Sequence, residues 1–344
     1  MSKDENSLTA WGDEQTKYFY ELTPNKVLDA VETFGYRCTG RCNALNSMEN
    51  RVYEVEIEVE DPKLLKNRSE QFRIVKFYRP GRWSKEQILE EHMFLHDLTE
   101  IEIPVVAPLR NSHGSTIYQE PGNGIYCAVF PKVGGRNPQE LSNEQLSIVG
   151  RLLARMHNAG EIKKADNRVE ISCETYGLQS LDFLLESESI PEHLEQRYSD
   201  LVQEICEIAS PWFSEAERQR IHGDCHLGNL LWGNEGPFWV DFDDMLNGPC
   251  VQDIWLILPG RDEHAQEQLD VLLEAYDQMR SFDRSTLCLI EPLRSLRMIH
   301  FDAWIAKRWE DPAFPRTFVE FGTDKYWHEQ IVQLQEQLAI IEGL

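Results

Sequence analysis

The amino-acid sequence predicts an α+β chain of two lobes, a small β-rich N-terminal lobe and a larger, mainly helical C-terminal one. Three observations carry this. Apolar and acidic residues alternate strictly from Arg51 to Glu60, with Tyr53, Val55, Ile57 and Val59 opposed to Glu54, Glu56, Glu58 and Glu60. Beyond residue 143 the apolar periodicity is helical almost throughout. A chain of 344 residues is also long for a single hydrophobic core.

The elements follow in order. Thr23-Pro24 supplies a cap and a first-turn proline for a helix whose stripe is Val27, Leu28 and Val31 and which ends at Gly35. The alternating strand comes next, then a charged turn and a second strand from Phe72 to Tyr78. Ser84, with Gln87 three residues on, opens a helix through a capping box, and Ile88, Leu95 and Leu98 mark its buried stripe. Ile125 to Phe130 is a β-prone run closed by Pro131, and the loop Lys132-Val133-Gly134-Gly135-Arg136-Asn137-Pro138 is the expected hinge. The chain thus divides into residues 1–130, with a helical extension at the N-terminus, and 131–344. In the second part, helices are predicted over 143–158, 192–208 and much of 262–344, around a strand-rich centre at 221–241.

Composition narrows the function classes. The net charge of −25 argues against general binding to nucleic acid or anionic membranes, and leaves room for cationic substrates. The longest charge-free stretch, Pro121 to Pro131, is too short to span a bilayer. Residues 1–15 are polar and mostly acidic, unlike a signal peptide. The eight cysteines include no CxxC pair and read as free thiols of a reducing cytosol, with Cys38 and Cys42 structural. A soluble, cytoplasmic protein is expected.

The chemistry concentrates in His222-Gly223-Asp224-Cys225-His226-Leu227-Gly228-Asn229, followed by two short apolar runs around Gly233-Asn234-Glu235-Gly236-Pro237. A hairpin centred on Glu235 sets Leu231 opposite Trp239 and Asn229 opposite Asp241, with opposed Cβ atoms about 5 Å apart. An amide oxygen and a carboxylate so placed could share a hard cation such as Mg²⁺. Asp224, five residues before Asn229, could take the proton of an incoming hydroxyl; Asp-x-x-x-x-Asn is the spacing of kinase catalytic loops. His222 and His226 would also suit a zinc site with Asp224, but the glycines and the missing HExxH helix weigh against it. His222 reads better as a residue that fixes the loop, and no GxSxG anchors a hydrolase triad.

The N-terminal lobe offers the complementary charge. Lys76 lies mid-strand, and Glu91 falls on the buried stripe of the following helix, where a carboxylate needs a partner. Such a pair holds the α- and β-phosphates in kinases. Glu90 is about 100° further round the helix. No GxGxxG covers the phosphates; the polar stretch Asn43 to Arg51 stands in its place, with Ser47 as the candidate contact or, alternatively, part of an ordinary hairpin.

These segments resemble the aminoglycoside-phosphotransferase and choline-kinase-like branch of the protein-kinase fold, and most nearly the bacterial stress response kinase A family. The resemblance rests on Leu45 to Tyr53, Val75-Lys76-Phe77-Tyr78-Arg79-Pro80-Gly81-Arg82-Trp83 and the His222 to Asn229 block. It rests also on Val240-Asp241-Phe242-Asp243-Asp244 and on Gly248 to Asp253, and it spans residues 20 to 310 at least. It implies a protein-kinase-like two-lobe fold and a cytoplasmic, monomeric serine/threonine protein kinase with ATP as phosphoryl donor and Mg²⁺ as cofactor. Its partners would be ATP and a protein bearing a Ser or Thr acceptor, with no nucleic acid and no membrane. It further implies Asp224 as proton acceptor, Asn229 and Asp241 as metal ligands, Asp241 being catalytic too, Lys76, Glu91 and Ser47 on the nucleotide side, and Asp253 as a brace. A role in surviving envelope or oxidative stress belongs to the same implication.

Two departures from ordinary protein kinases stand out. Asp241 is followed by Phe242-Asp243 rather than Phe-Gly, and no Ala-Pro-Glu occurs downstream. The short interval from Asp241 to Asp253 leaves no room for a long activation loop, which disfavours control by phosphorylating one. Small-molecule kinases share these features, so a homoserine-, choline- or aminoglycoside-like alcohol is the rival acceptor. A fold that has lost catalysis and an adenylyl transferase are further alternatives.

Overall fold

Thr23 caps the first helix, α1 (Pro24–Glu32), its side-chain oxygen accepting from the Lys26 N–H while Pro24 occupies the first turn. The computed structural model describes Phe19 and residues 22–343 except 62 and 64. Residues 1–15, read above as unlike a signal peptide, lie outside the described residues. After α1 the chain builds a five-stranded antiparallel sheet from β1 (Cys38–Leu45), β2 (Arg51–Ile57), β3 (Phe72–Phe77), β4 (Tyr118–Gln119) and β5 (Tyr126–Pro131), in the order β1-β2-β3-β5-β4. The helix α2 (Lys85–Glu100) enters between β3 and β4, its capping box made by Ser84 and Gln87. Val27, Ala30 and Val31 of α1 pack with Val55, Val75, Phe77 and Val129 of the sheet, whereas Phe94, Leu95 and Leu98 of α2 join the core of the second lobe. α2 therefore couples the lobes.

Past the loop at 132–138 the chain is mainly helical: α3 (Asn143–Ile162), α4 (Gln179–Glu186) and α5 (Glu192–Glu215) precede the short strand β6 (Gln219–Ile221). The hairpin β7 (Leu230–Gly233) and β8 (Gly236–Trp239) follows, then β9 (Leu246–Gly248), which pairs with β6. Helices α6 (Val251–Trp255), α7 (Glu263–Asp277), α8 (Ile290–Lys307), α9 (Ala313–Thr317) and α10 (Asp324–Glu342) complete the lobe. One continuous apolar core runs through it, with Trp239, Phe242, Leu296 and Trp327 fully buried. No helix among the described residues is long and apolar enough to cross a membrane, and all eight cysteines are free.

The differences from expectation are local. β2 ends at Ile57 rather than Glu60, while α3 and α5 outrun their predicted ends, α5 through Pro211. β1 reaches into the stretch predicted as a polar loop, which narrows to residues 46–50. An edge strand with most residues exposed has no buried face to write an apolar alternation into its sequence.

Candidate active site

The central strand β3 carries Lys76 to the junction of the lobes. Its Nζ lies 3.1 Å from Glu91 Oε1, 3.1 Å from Asp243 Oδ1 and 3.7 Å from Asp241 Oδ1. Arg168 reaches the other Glu91 oxygen at 3.2 Å. Burial by itself would discharge the lysine; Asp243 and Glu91 instead hold it protonated well above its usual range. Glu90, one position back, points elsewhere and accepts from the Asn167 backbone N–H at 3.0 Å.

On the opposite wall, β6 delivers the chain into His222-Gly223-Asp224. Asp253 fixes this turn by accepting the N–H groups of His222 (2.9 Å) and Gly223 (2.8 Å), with His157 Nε2 at 3.2 Å behind it. Gly223 has φ +84°, and a Cβ there would strike the Asp244 carbonyl oxygen, so the position needs glycine. Asp224 Oδ2 meets Asn229 Nδ2 and His226 Nε2, each at 3.2 Å, and Oδ1 meets Arg297 Nη1 at 2.8 Å. Burial opposes the charge of Asp224, but the His226 hydrogen bond and the Arg297 guanidinium hold its carboxyl well below the usual range. His222 turns away to the Val240 carbonyl, Nε2 to oxygen 3.0 Å, so the two histidines do not converge as zinc ligands would.

The hairpin corrects one expectation. Its loop is the two residues Asn234-Glu235, so Leu231 pairs with Phe238, not Trp239. The ladder continued sets Asn229 opposite Val240, whose N–H donates to the Asn229 carbonyl at 3.0 Å. Asn229 is therefore not opposite Asp241: a one-residue change of loop length moved the register by one. Asp241 lies beyond the ladder in the left-handed region (φ 60°, ψ 66°), its side chain 55% exposed. A non-glycine residue held there is strained backbone of the kind found at functional sites. The Asn229 amide nitrogen is committed to Asp224, to the backbone oxygen at 3.0 Å and to the carboxylate. Its amide oxygen and the exposed Asp241 carboxylate are both hard oxygen donors, the kind a divalent cation such as Mg²⁺ prefers.

Ser47, Lys76, Glu91, Asp224 and Asp241 line one cleft of about 880 Å³ between the lobes, floored by apolar residues that include Ile74, Leu95 and Phe130. The Ser47 hydroxyl accepts from the Asn50 N–H at 3.2 Å, which shapes the loop. Sequence reasoning missed the ions behind this loop. Asn50 Nδ2 donates to Asp243 at 3.1 Å, Arg82 reaches Asp243 at 2.7 Å and also Asp244, and Arg79 reaches Asp311 at 3.1 Å. Glu49 accepts from Arg308 at 2.6 Å and from Trp304 Nε1 at 2.6 Å, with Arg79 Nε 3.0 Å away. Burial works against Glu49, yet its guanidinium neighbours bring its carboxyl down to about 2. The Arg-Pro-Gly-Arg-Trp block was visible, but its carboxylate partners Asp243 and Asp311 lie 161 and 232 residues onward, beyond any local pattern.

A small antiparallel sheet over a helical lobe, with a buried lysine–glutamate pair and loop carboxylates meeting in one cleft, is the architecture of a phosphotransferase. Residues 43–289 match the model of the phosphotransferase enzyme family, APH. The chain belongs to that family and, within it, to the stress response kinase A proteins. It is 38% identical over 325 residues to Stress response kinase A of Escherichia coli (strain K12), covering 94% of this chain and 95% of the relative. To the serine/threonine protein kinase RdoA of Salmonella typhimurium (strain LT2) it is 36% identical over 324 residues, covering 94% of each. Among solved structures, amicoumacin kinase hAmiN in complex with AMP-PNP and Ca²⁺ superposes with a TM-score of 0.68 at 20% identity, over 90% of this chain and 94% of that one. Spectinomycin phosphotransferase APH(9)-Ia with ADP and spectinomycin gives 0.64 at 14% identity, over 93% and 98%. At these identities the likeness is one of fold, and it is the protein-kinase-like two-lobe fold expected from the sequence.

Proposed function

We propose that the protein is an ATP- and Mg²⁺-dependent serine/threonine protein kinase, cytoplasmic and monomeric, serving stress survival as its relatives' names suggest. The observation that carries the reading is the shared cleft, with Lys76 and Glu91 on one wall and Asp224 on the other. In this reading residues 1–130 hold the nucleotide and 131–344 hold the catalytic loop and the acceptor. Lys76, kept charged by Glu91 and Asp243, binds the phosphates, and the loop at Ser47 covers them. Asn229 and Asp241 would hold Mg²⁺, which when bound neutralises phosphate charge. Asp224 orients the acceptor hydroxyl. The hydroxyl oxygen bonds to the γ-phosphorus as the bond from that phosphorus to the β–γ bridging oxygen breaks; ADP leaves, and the proton passes to Asp224.

The test is phosphoryl transfer from γ-labelled ATP with Mg²⁺ to a generic protein and to the enzyme itself, in wild type and Asp224→Ala. Label on serine or threonine that vanishes in the variant supports the reading. Equal labelling in both means that Asp224 is not the base. The likeness to amicoumacin kinase and spectinomycin phosphotransferase favours one second reading, a small-molecule alcohol as acceptor. Turnover stimulated by small alcohols, with no protein labelled, would establish it.

A further inference from the structure

If Asp224 is to receive a proton, the acceptor hydroxyl must reach one of its oxygens, and both already have a donor whose bulk it must share space with or displace. Oδ2 is held by Asn229 and His226, members of the same loop that move with it. Oδ1 is held by Arg297, which comes from α8 and is 45% exposed. Helix α8 turns one stripe toward this side of the cleft, with Arg297, Phe301 and Trp304 recurring at helical spacing and Arg308 just past its end. Trp304 lines the cleft, and the exposed Phe301 ring stacks on it, centroids 5.5 Å apart and planes 16° from parallel. Arg308 is fixed by Glu49. The acceptor therefore meets an exposed guanidinium over the base, followed by an aromatic ledge.

We infer that Arg297 determines acceptor specificity: it covers Asp224 until an acceptor bearing an anionic group beside its hydroxyl draws the guanidinium away and seats the hydroxyl at Oδ1. The inference rests on Asp224 being the base. The pair is exposed on the Arg297 side, and a carboxylate or phosphate matches the guanidinium fork in two hydrogen bonds, so the exchange of partners is open to such an acceptor. An ammonium-bearing acceptor must approach a like charge at this position. The overall charge of −25 leaves room for cationic substrates, but the residue at the base is a cation and selects the opposite sign. For a protein acceptor this means serine or threonine with acidic neighbours; a small hydroxy acid carries the same chemistry.

The test gives the full-length protein MgATP and peptides with one serine flanked by aspartates, alanines or lysines, alongside small hydroxy acids and amino alcohols. Wild type should show kcat/KM about tenfold higher for the aspartate peptide than for the lysine peptide. Arg297→Ala should erase that difference, mainly by raising KM for the acidic peptide, and should hydrolyse ATP faster in the absence of acceptor because Oδ1 is uncovered. Arg297→Lys should keep part of the preference. A preference unchanged in Arg297→Ala, or a wild type that prefers lysine, overturns the inference. If only hydroxy acids are phosphorylated, and Arg297 sets their advantage over amino alcohols, the inference stands and the protein-kinase reading falls. If nothing is phosphorylated, acceptor-free hydrolysis decides: faster in Arg297→Ala supports the cover, and equal rates overturn it.

Discussion

The two sides of the cleft handle charge in opposite ways. On the side proposed to bind phosphate, Lys76, Arg82, Glu91, Arg168, Asp243 and Arg308 are all buried, and the pairs among them and with Glu49 form a continuous network. On the side proposed for the acceptor, Asp224 has two partners in its own loop, Asn229 and His226, and one in the exposed Arg297. A buried ion that loses one partner is stranded without water, so the first arrangement stays put. An exposed ion changes partner at little cost, so the second can yield to substrate. The same contrast bears on regulation. Arg82 holds Asp243 and Asp244, and Arg168 Nη1 donates to the Asp243 carbonyl at 2.8 Å. The segment after Asp241 is thus ordered by built-in arginines, where other kinases order an activation loop by phosphorylation.

The largest expected effect separates the two sides. Asp224→Ala should lower kcat by about 10²- to 10⁴-fold, the usual span for a lost general base, with little change in the unfolding midpoint. Asp243→Ala should do the reverse first: Lys76 and Arg82 lose a buried partner, and stability falls by about 3–5 kcal/mol in urea unfolding. A full-strength unfolding transition in Asp243→Ala would mean that Glu91 alone suffices for Lys76, and the phosphate side would be less tightly tied than its contacts suggest.

How far the sequence foretold this site depended on the range over which each residue acts. Lys76 and Glu91 lie fifteen residues apart on consecutive elements, and the apolar stripe of α2 pointed to Glu91 rather than Glu90 as the partner of Lys76, although both glutamates are buried. The loop from His222 to Asn229 was legible because its turns and carboxylate are local. The hairpin register was not, because Gly233-Asn234-Glu235-Gly236-Pro237 admits loops of different length and the apolar runs on either side are too short to choose. Least legible were the arginines. Arg82 and Arg308 are charged residues that composition places on the surface, and only the folded chain brings them to Asp243 and Glu49.

A further buried carboxylate sharpens the contrast, because tyrosine hydroxyls rather than guanidinium or ammonium groups meet its two oxygens. Asp302 of α8 accepts from Tyr198 of α5 at 2.9 Å and from Tyr326 of α10 at 2.5 Å. Burial pushes its carboxyl up from 3.8 to about 7, against the pull of both tyrosines. The folded state therefore binds more protons than the unfolded state between these values. Stability contributed by this group is present at low pH and is lost as pH rises toward 7. Asp302→Asn removes the titration. Relative to this variant, wild type should lose about 3 kcal/mol between pH 5 and pH 8 in urea unfolding. A pH-independent difference would mean that Asp302 stays ionised, so that two tyrosine hydroxyls can replace a cation.

The smallest effect is expected at an ion pair that matches the buried ones in geometry and differs in exposure. Arg261 donates to both oxygens of Glu291, at 3.0 and 2.6 Å, and its side chain is 45% exposed, the same as Arg297. Arg294 stands 3.2 Å from the same glutamate, so Glu291 keeps a partner when Arg261 is removed. Arg261→Ala should therefore cost less than about 1 kcal/mol. Raising the salt concentration should shrink even that difference, since exposed charges are screened. A loss as large as that of Asp243→Ala would show that two-pronged geometry sets the strength of these pairs and that burial does not. Arg297, equally exposed, would then be held too firmly for an acceptor to displace, and the division of the cleft into a fixed side and a yielding side would lose its physical basis.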